Sequence, residues 1–142
     1  MTTVRQLLKE KGQDVWSAGP DDTVFDAIQE MARRDVGALV VIRDDKPVGM
    51  FTERDYARDV ILKGKSSPNT KIQEVMTSRV ICVRPEQTVE ECMAVMTDKH
   101  IRHLPVLEDE KLAGMISIGD LVKNIIADQK FTIEQLESYI RS

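Results

Sequence analysis

The strongest constraint on this chain is that most of it is written twice. Shifting the 142-residue sequence by 65 positions lines up Val15–Gly64 with Val80–Gln129 without a gap. About a dozen of the aligned pairs are identical, and a fixed period of this kind marks a repeated structural unit. They include Pro20 with Pro85, Thr23-Val24 with Thr88-Val89, Met31 with Met96 and Leu39 with Leu104. Further on come Val41 with Val106, Asp44 with Asp109, Lys46 with Lys111, Gly49-Met50 with Gly114-Met115 and Asp55 with Asp120. The apolar pattern between these pairs repeats too. A unit of about fifty residues buries little surface by itself, so the two copies are expected to pack sheet to sheet around one shared core.

Each copy reads strand, helix, strand, strand, helix, which places the chain in the α/β (α+β) class. Val24, Ala27, Ile28 and Met31 fall at helical spacing, as do Val89, Cys92, Met93 and Met96. Thr23 and Thr88 precede these helices as N-caps. Ala38–Ile42 and Leu104–Leu107 read as buried strands, with Val48–Phe51 and Ala113–Ile116 as their partners across polar turns. The last helix carries Tyr56, Val60 and Ile61 in one copy and Leu121, Ile125 and Ile126 in the other. A short apolar-spaced segment precedes each copy, with Val4, Leu7 and Leu8 before the first and Ile72, Val75 and Met76 before the second. The expected division is residues 1–64 for the first copy with its N-terminal helix, 65–71 for a linker, 72–129 for the second copy and 130–142 for a C-terminal helix. Thr132-Ile133-Glu134-Gln135 has the spacing of a capping box that would open this last helix.

Composition narrows the function. Twenty basic against 24 acidic residues give a net charge of −4, which speaks against holding a nucleic-acid backbone by bulk charge. The longest apolar run, Ala38–Ile42, is a strand's length, far short of the ~20 residues a spanning helix needs. The start, Met1-Thr2-Thr3-Val4-Arg5, lacks a signal peptide's apolar region. Cys82 and Cys92 supply no disulfide framework. A cytoplasmic protein with neither nucleic-acid nor membrane partner is expected.

The residues most suggestive of chemistry close each copy. Gly49-Met50-Phe51-Thr52-Glu53-Arg54-Asp55 and Gly114-Met115-Ile116-Ser117-Ile118-Gly119-Asp120 share a Gly, a hydroxyl three residues on and an Asp three further. A hydroxyl at the N-cap with an acid three residues later is the spacing of a helix cap. The same geometry also serves ligands: free N–H groups at a helix start attract phosphate, and an Asp accepts hydrogen bonds from ribose. Both readings stay open on spacing alone. Cys92, His100 and His103 lack the clustered further ligands of a four-coordinate metal shell, so no metal is expected. No phosphate-loop or dinucleotide fingerprint occurs, nor a nucleophile elbow, and neither motif shows a nucleophile with its base. No catalytic residue is expected.

The duplicated Gly-x-x-[Ser/Thr]-x-x-Asp, with Ile101-Arg102-His103-Leu104-Pro105-Val106 inside the second copy, resembles a pair of CBS (cystathionine β-synthase-type) domains. The phrases Asp35-Val36-Gly37-Ala38-Leu39-Val40-Val41 and Val75-Met76-Thr77 are also similar to the family. The resemblance implies two three-stranded sheets with outer helices, a homodimer, and two clefts that take an adenine nucleotide such as AMP, ATP or NAD. On the family pattern each cleft joins the hydroxyl and Asp of one copy to strand residues of the other. Thr52 and Asp55 would hold ribose and phosphate in the first, with Ile81, Ile101, Arg102 and His103 as base wall and phosphate side. Ser117 and Asp120 would face Trp16, Val36, Gly37 and Ala38 in the second. Arg54, Arg102 and His103 would make the first cleft the more cationic, and so the preferred one for a phosphorylated ligand. Trp16 could stack on a base or merely pack. The expected function is a non-catalytic nucleotide sensor acting on an unidentified protein partner. The alternative is an interaction scaffold with vestigial clefts.

Overall fold

A computed structural model of the chain describes residues 1–12 and 14–141. The first copy runs β1 (Ser17–Ala18), α2 (Val24–Arg34), β2 (Ala38–Arg43), β3 (Lys46–Thr52), following the N-terminal helix α1 (Val4–Lys11). Its closing helix, α3, begins as an α-turn at Glu53–Asp55 and continues as a π-helix at Tyr56–Ile61. Two single 3₁₀ turns, Ser67–Asn69 and Ile72–Glu74, lead into the second copy. That copy contains α4 (Val89–Lys99), β4 (His103–Glu108), β5 (Lys111–Ser117) and α5 (Ile118–Arg141).

Local chemistry repeats with the sequence. The Thr23 and Thr88 hydroxyls each accept the N–H three residues on, at 3.1 Å, and cap α2 and α4 as their spacing predicts. The same helices end at Asp35 and His100 in the left-handed conformation, φ 55° and 56°, which those residue types tolerate. Both hairpins turn on two residues with positive φ, Asp44-Asp45 and Asp109-Glu110, which lets the turn twist match that of the strands. Both strand pairs slip register at the same place, between Val41 and Ile42 and between Val106 and Leu107.

The sheets are not equal. β1 pairs in parallel with β2 to complete a three-stranded sheet in the first copy. In the second copy the third strand shrinks to one parallel bridge, Val83 with Val106. The cause is one residue. In the first copy Val40 donates its N–H to the Trp16 carbonyl at 3.3 Å. Its counterpart is Pro105, which has no N–H to give the Ile81 carbonyl, so pairing cannot extend that way.

Three apolar clusters form the core. One gathers Val24, Met31, Leu39, Phe51 and Val60 in the first copy, and one gathers Val89, Cys92, Leu104, Ile116 and Leu121 in the second. A third, with Ala38, Val40 and Met50 against Leu112 and Met115, joins the two sheets face to face. Fully burying each such aliphatic or aromatic side chain contributes roughly 1.5–3 kcal/mol.

The segments ahead of the copies are exchanged. Sequence order groups α1 with the first copy, yet Val4, Leu7 and Leu8 lie in the core of the second. Ile72 and Val75 lie in the core of the first. Matching hydrogen bonds fix both crossings. Val4 donates to the Gln87 carbonyl at 2.8 Å and Arg5 to that of Pro85 at 2.9 Å, while Ile72 donates to Asp22 at 2.9 Å and Gln73 to Pro20 at 3.1 Å. Val4 therefore corresponds to Ile72 and Leu8 to Met76, an offset of 68 that an ungapped shift of 65 misses.

The C-terminal helix differs from expectation. α5 runs unbroken from Ile118 to Arg141, so no separate helix opens at Thr132. The Thr132 hydroxyl donates backwards to the Asp128 carbonyl at 3.0 Å instead of accepting an N–H as a cap would. Asp128-Gln129-Lys130-Phe131 contains neither Gly nor Pro, so nothing there stops the helix.

Candidate functional site

The two Gly-to-Asp motifs occupy matching places, each spanning the end of a hairpin and the start of the following helix. Thr52 stands opposite Ala38 and Ser117 opposite His103 in the strand register. Each helix start is tied to the neighbouring strand: Glu53 donates to the Gly37 carbonyl at 3.1 Å and Ile118 to that of Arg102 at 2.9 Å. The glycines answer to the exchanged segments. A Cβ on Gly114 would lie 2.6 Å from a methyl of Leu8, and one on Gly49 would run into the thioether of Met76. Each glycine thus admits the segment that precedes the other copy.

Both motifs form full capping boxes. Thr52 N donates to Asp55 Oδ2 at 3.0 Å, and Asp55 N donates back to Thr52 Oγ1 at 3.1 Å. Ser117 N donates to Asp120 Oδ2 at 2.8 Å, and Asp120 N donates back to Ser117 Oγ at 3.2 Å. The helix-cap reading of the spacing therefore holds at both motifs. It leaves the carboxylates available for more, and their further partners differ.

Asp55 Oδ1 accepts the Thr77 hydroxyl at 3.3 Å and pairs with no cation among the described residues. Burial pushes its carboxyl above the ordinary value, against the pull of the Thr52 and Thr77 donors, and the nearby Asp59 adds repulsion. Asp120 Oδ2 instead takes the Lys11 ammonium at 2.6 Å, and Lys11 also donates to the Met115 carbonyl at 2.6 Å. Burial alone would raise the Asp120 carboxyl too. The Lys11 ammonium and the Ser117 donors outweigh it and hold the carboxyl below the ordinary range.

Among the residues named from sequence, His103 stands opposite Ser117 in the strand register. Burial first, then the Lys11 and Arg102 charges, push its imidazole below the usual value, while the Asp120 and Glu53 carboxylates pull it back. Arg54 and Arg102 are exposed. Ile81 and Ile101 are partly buried against the second core and Val36 against the first. Gly37 and Ala38 lie at the start of β2, with the Glu53 carboxylate 3.4 Å from where a Gly37 Cβ would be. Trp16 packs on the first core with the Arg34 guanidinium 4.0 Å over its ring.

Three residues near these motifs escape a sequence reading: Lys11, Thr77 and Glu53. Thr77 lies within the phrase Val75-Met76-Thr77, though nothing local assigns it to Asp55. Lys11 gives less warning still, since a lysine in the last turn of a helix is ordinary favourable placement. Among the described residues, no cluster of three or more His, Cys, Asp or Glu converges as a metal site would require. No helix among the described residues is long and apolar enough to cross a membrane.

Two copies of one unit, packed sheet to sheet and carrying matched acidic motifs, make a tandem-repeat module. Comparison with known proteins identifies the unit. The family model described as the CBS domain matches residues 4–61 and 72–127. The CBS domain-containing protein CBSX3, mitochondrial, of Arabidopsis thaliana is 39% identical over 99% of this chain and 72% of its own length. The crystal structure of the CBS domain NE2398 is 50% identical, with a TM-score of 0.85 over 88% of this chain and 98% of that one. The CBS domain pair of protein MJ0100, solved in complex with 5′-methylthioadenosine and S-adenosyl-L-methionine, shares the fold at 21% identity and a TM-score of 0.80 over 90% of this chain and 98% of that one. This chain belongs to the CBS-domain family and carries two repeats of it. A CBS pair is a regulatory module, and no catalytic domain is evident in the described residues.

Proposed function

We propose that the protein is a non-catalytic sensor that binds an adenine nucleotide of the AMP, ATP or NAD class in the cleft between its two repeats. The observation that carries this reading is the Asp55 carboxylate. It is half-buried at a helix start, raised in pKa by that burial, and served by two donors, with no cation among the described residues. Ribose hydroxyls are the donors such an acceptor lacks. Thr52 would help seat the sugar and phosphate, Arg54, Arg102 and His103 the phosphate, and Ile81 and Ile101 the base. Ser117, Asp120, Trp16, Val36, Gly37 and Ala38 would form the second cleft. The adenosine compounds held by MJ0100 support the ligand class.

The regulated partner would be another protein, and the working form a homodimer in a reducing, cytoplasmic setting. The C-terminal half of α5 favours a partner chain, because Phe131, Ile133, Leu136 and Ile140 all remain more than half exposed there. That same face supports the second reading, an interaction scaffold whose clefts bind nothing.

Calorimetric titration with AMP, ADP, ATP, NAD, NADH and S-adenosylmethionine separates the two. Saturable binding that disappears in Asp55→Ala is expected, and a ligand at about 100 times its Kd should raise stability by about 2.7 kcal/mol. Silence across the panel overturns the sensor in favour of the scaffold.

A further inference from the structure

The two clefts differ in one contact that their sequence motifs do not reveal. Lys11 ends α1, three residues after the Leu8 that fits against Gly114. Its counterpart in the other crossing, three residues after Met76, is Arg79. Arg79 makes no ion pair among the described residues, and Asp55 receives the Thr77 hydroxyl instead. The backbone explains the difference. α1 is helical as far as Lys11, whereas the second segment makes only a 3₁₀ turn and then runs extended, with Thr77 and Met50 exchanging two hydrogen bonds at 2.9 Å. Lys11 is thereby aimed at Asp120. The pair is largely withdrawn from water, its side chains 32% and 20% exposed, and the ammonium is anchored a second time on the Met115 carbonyl.

We infer that Lys11 is a tethered counter-ion that occupies the ribose-binding carboxylate of the Asp120 cleft, so that the two clefts fill in order, the Asp55 cleft first. This rests on the adenine-nucleotide reading above and deepens it. A ribose reaching Asp120 must displace an ammonium from a partly buried ion pair, whereas at Asp55 it displaces at most a neutral hydroxyl. Losing a charge-assisted bond costs more than losing a neutral one. The Lys11 stem is a flexible four-carbon chain, so the cation can swing aside by side-chain rotation without dislodging the buried Leu7 and Leu8. The Lys11–Asp120 pair therefore acts as a latch on the second cleft.

The test follows backbone amide signals of the intact protein by NMR during titration with AMP, comparing Thr52–Asp55 with Ser117–Asp120. In the wild type the Thr52–Asp55 amides should shift at the lower AMP concentration. Lys11→Met should bring the two midpoints together by about tenfold, more than an exposed pair would give. Lys11→Arg, which keeps a cation, should preserve the gap. Thermal melts of each variant confirm folding. The inference falls if the wild-type Ser117–Asp120 amides respond first or together with the others, an outcome that needs no variant. It also falls if Lys11→Met leaves the gap unchanged while AMP still binds. Absence of shifts with AMP, ATP and NAD alike overturns the nucleotide reading itself, and this inference with it.

Discussion

The halves of this protein were drawn from one pattern and then diverged, and their acidic motifs show how far. Both Asp55 and Asp120 sit three residues into a capped helix and bond the same backbone N–H. One is left with a neutral hydroxyl for company, the other with an ammonium at 2.6 Å. Burial raises the acid in the first case, and a cation overrules burial in the second. The repeated motif therefore repeats its helix cap, but not its electrostatic environment. That environment is set by whichever chain segment arrives from outside the repeat.

The exchanged segments give the largest expected effects. Leu8→Ala and Ile72→Ala each remove a buried side chain from the core of the other copy, and large-to-small changes of this kind typically cost about 2–5 kcal/mol. Hydrogen exchange should show protection lost first in β4, β5 and α4 for Leu8→Ala, and first in β2, β3 and α2 for Ile72→Ala. Protection lost equally from both halves in both variants would mean the crossing has no local meaning.

The glycines sharpen the comparison further. Gly114→Ala drives a methyl against the buried Leu8, whereas Gly49→Ala meets the flexible thioether of Met76. Denaturant unfolding should show Gly114→Ala destabilising by about 1–3 kcal/mol and Gly49→Ala by distinctly less. Equal losses would contradict the geometry.

Acid should separate the two carboxyls by sign. Asp120 is held below its ordinary value of 3.8, so its ion pair stabilises the fold above about pH 4 and that contribution is lost as pH falls through its folded pKa. Asp55 is held above that value, so the folded state loses stability as pH rises through the unfolded and then the folded pKa. At pH 7 Asp120→Asn should cost about 1–2 kcal/mol, between an exposed and a fully buried pair, and the deficit should shrink toward pH 3. Asp55→Asn should leave the melting temperature at pH 7 unchanged or higher. A matched fall in both variants would erase the distinction between the clefts.

Pro105→Val is the smallest change and tests the unequal sheets. It supplies the N–H that Val40 has and Pro105 lacks, allowing a bond to the Ile81 carbonyl worth about 1 kcal/mol or less. Slower exchange of the amide at position 105 than of an exposed one would show that bond. Fast exchange there would place the cause elsewhere in the strand.

Much of this was legible in the residues. Helix faces, both Thr caps, both hairpins and both acidic motifs follow from spacing, because their hydrogen bonds close within three or four residues. Two local readings misled. Thr132 has the spacing of a cap, yet the helix already running through it satisfied the backbone, so its hydroxyl turned to Asp128. The third strand of the second copy fails because Pro105 lacks a single donor, visible only once its partner is known.

The sequence by itself determined that there are two copies, what each is made of, and that each ends in a capped acid. Periodicity and local hydrogen bonding are properties of neighbours along the chain, so they survive as pattern. Tertiary structure alone decided that α1 belongs to the second core, that Ile72 belongs to the first, and that Lys11 meets Asp120. An amphipathic segment requires some apolar surface but does not specify which, and the two copies offer nearly identical ones. The choice was made by packing, Leu8 against Gly114 and Met76 against Gly49, and the charge around the two acidic motifs followed from it.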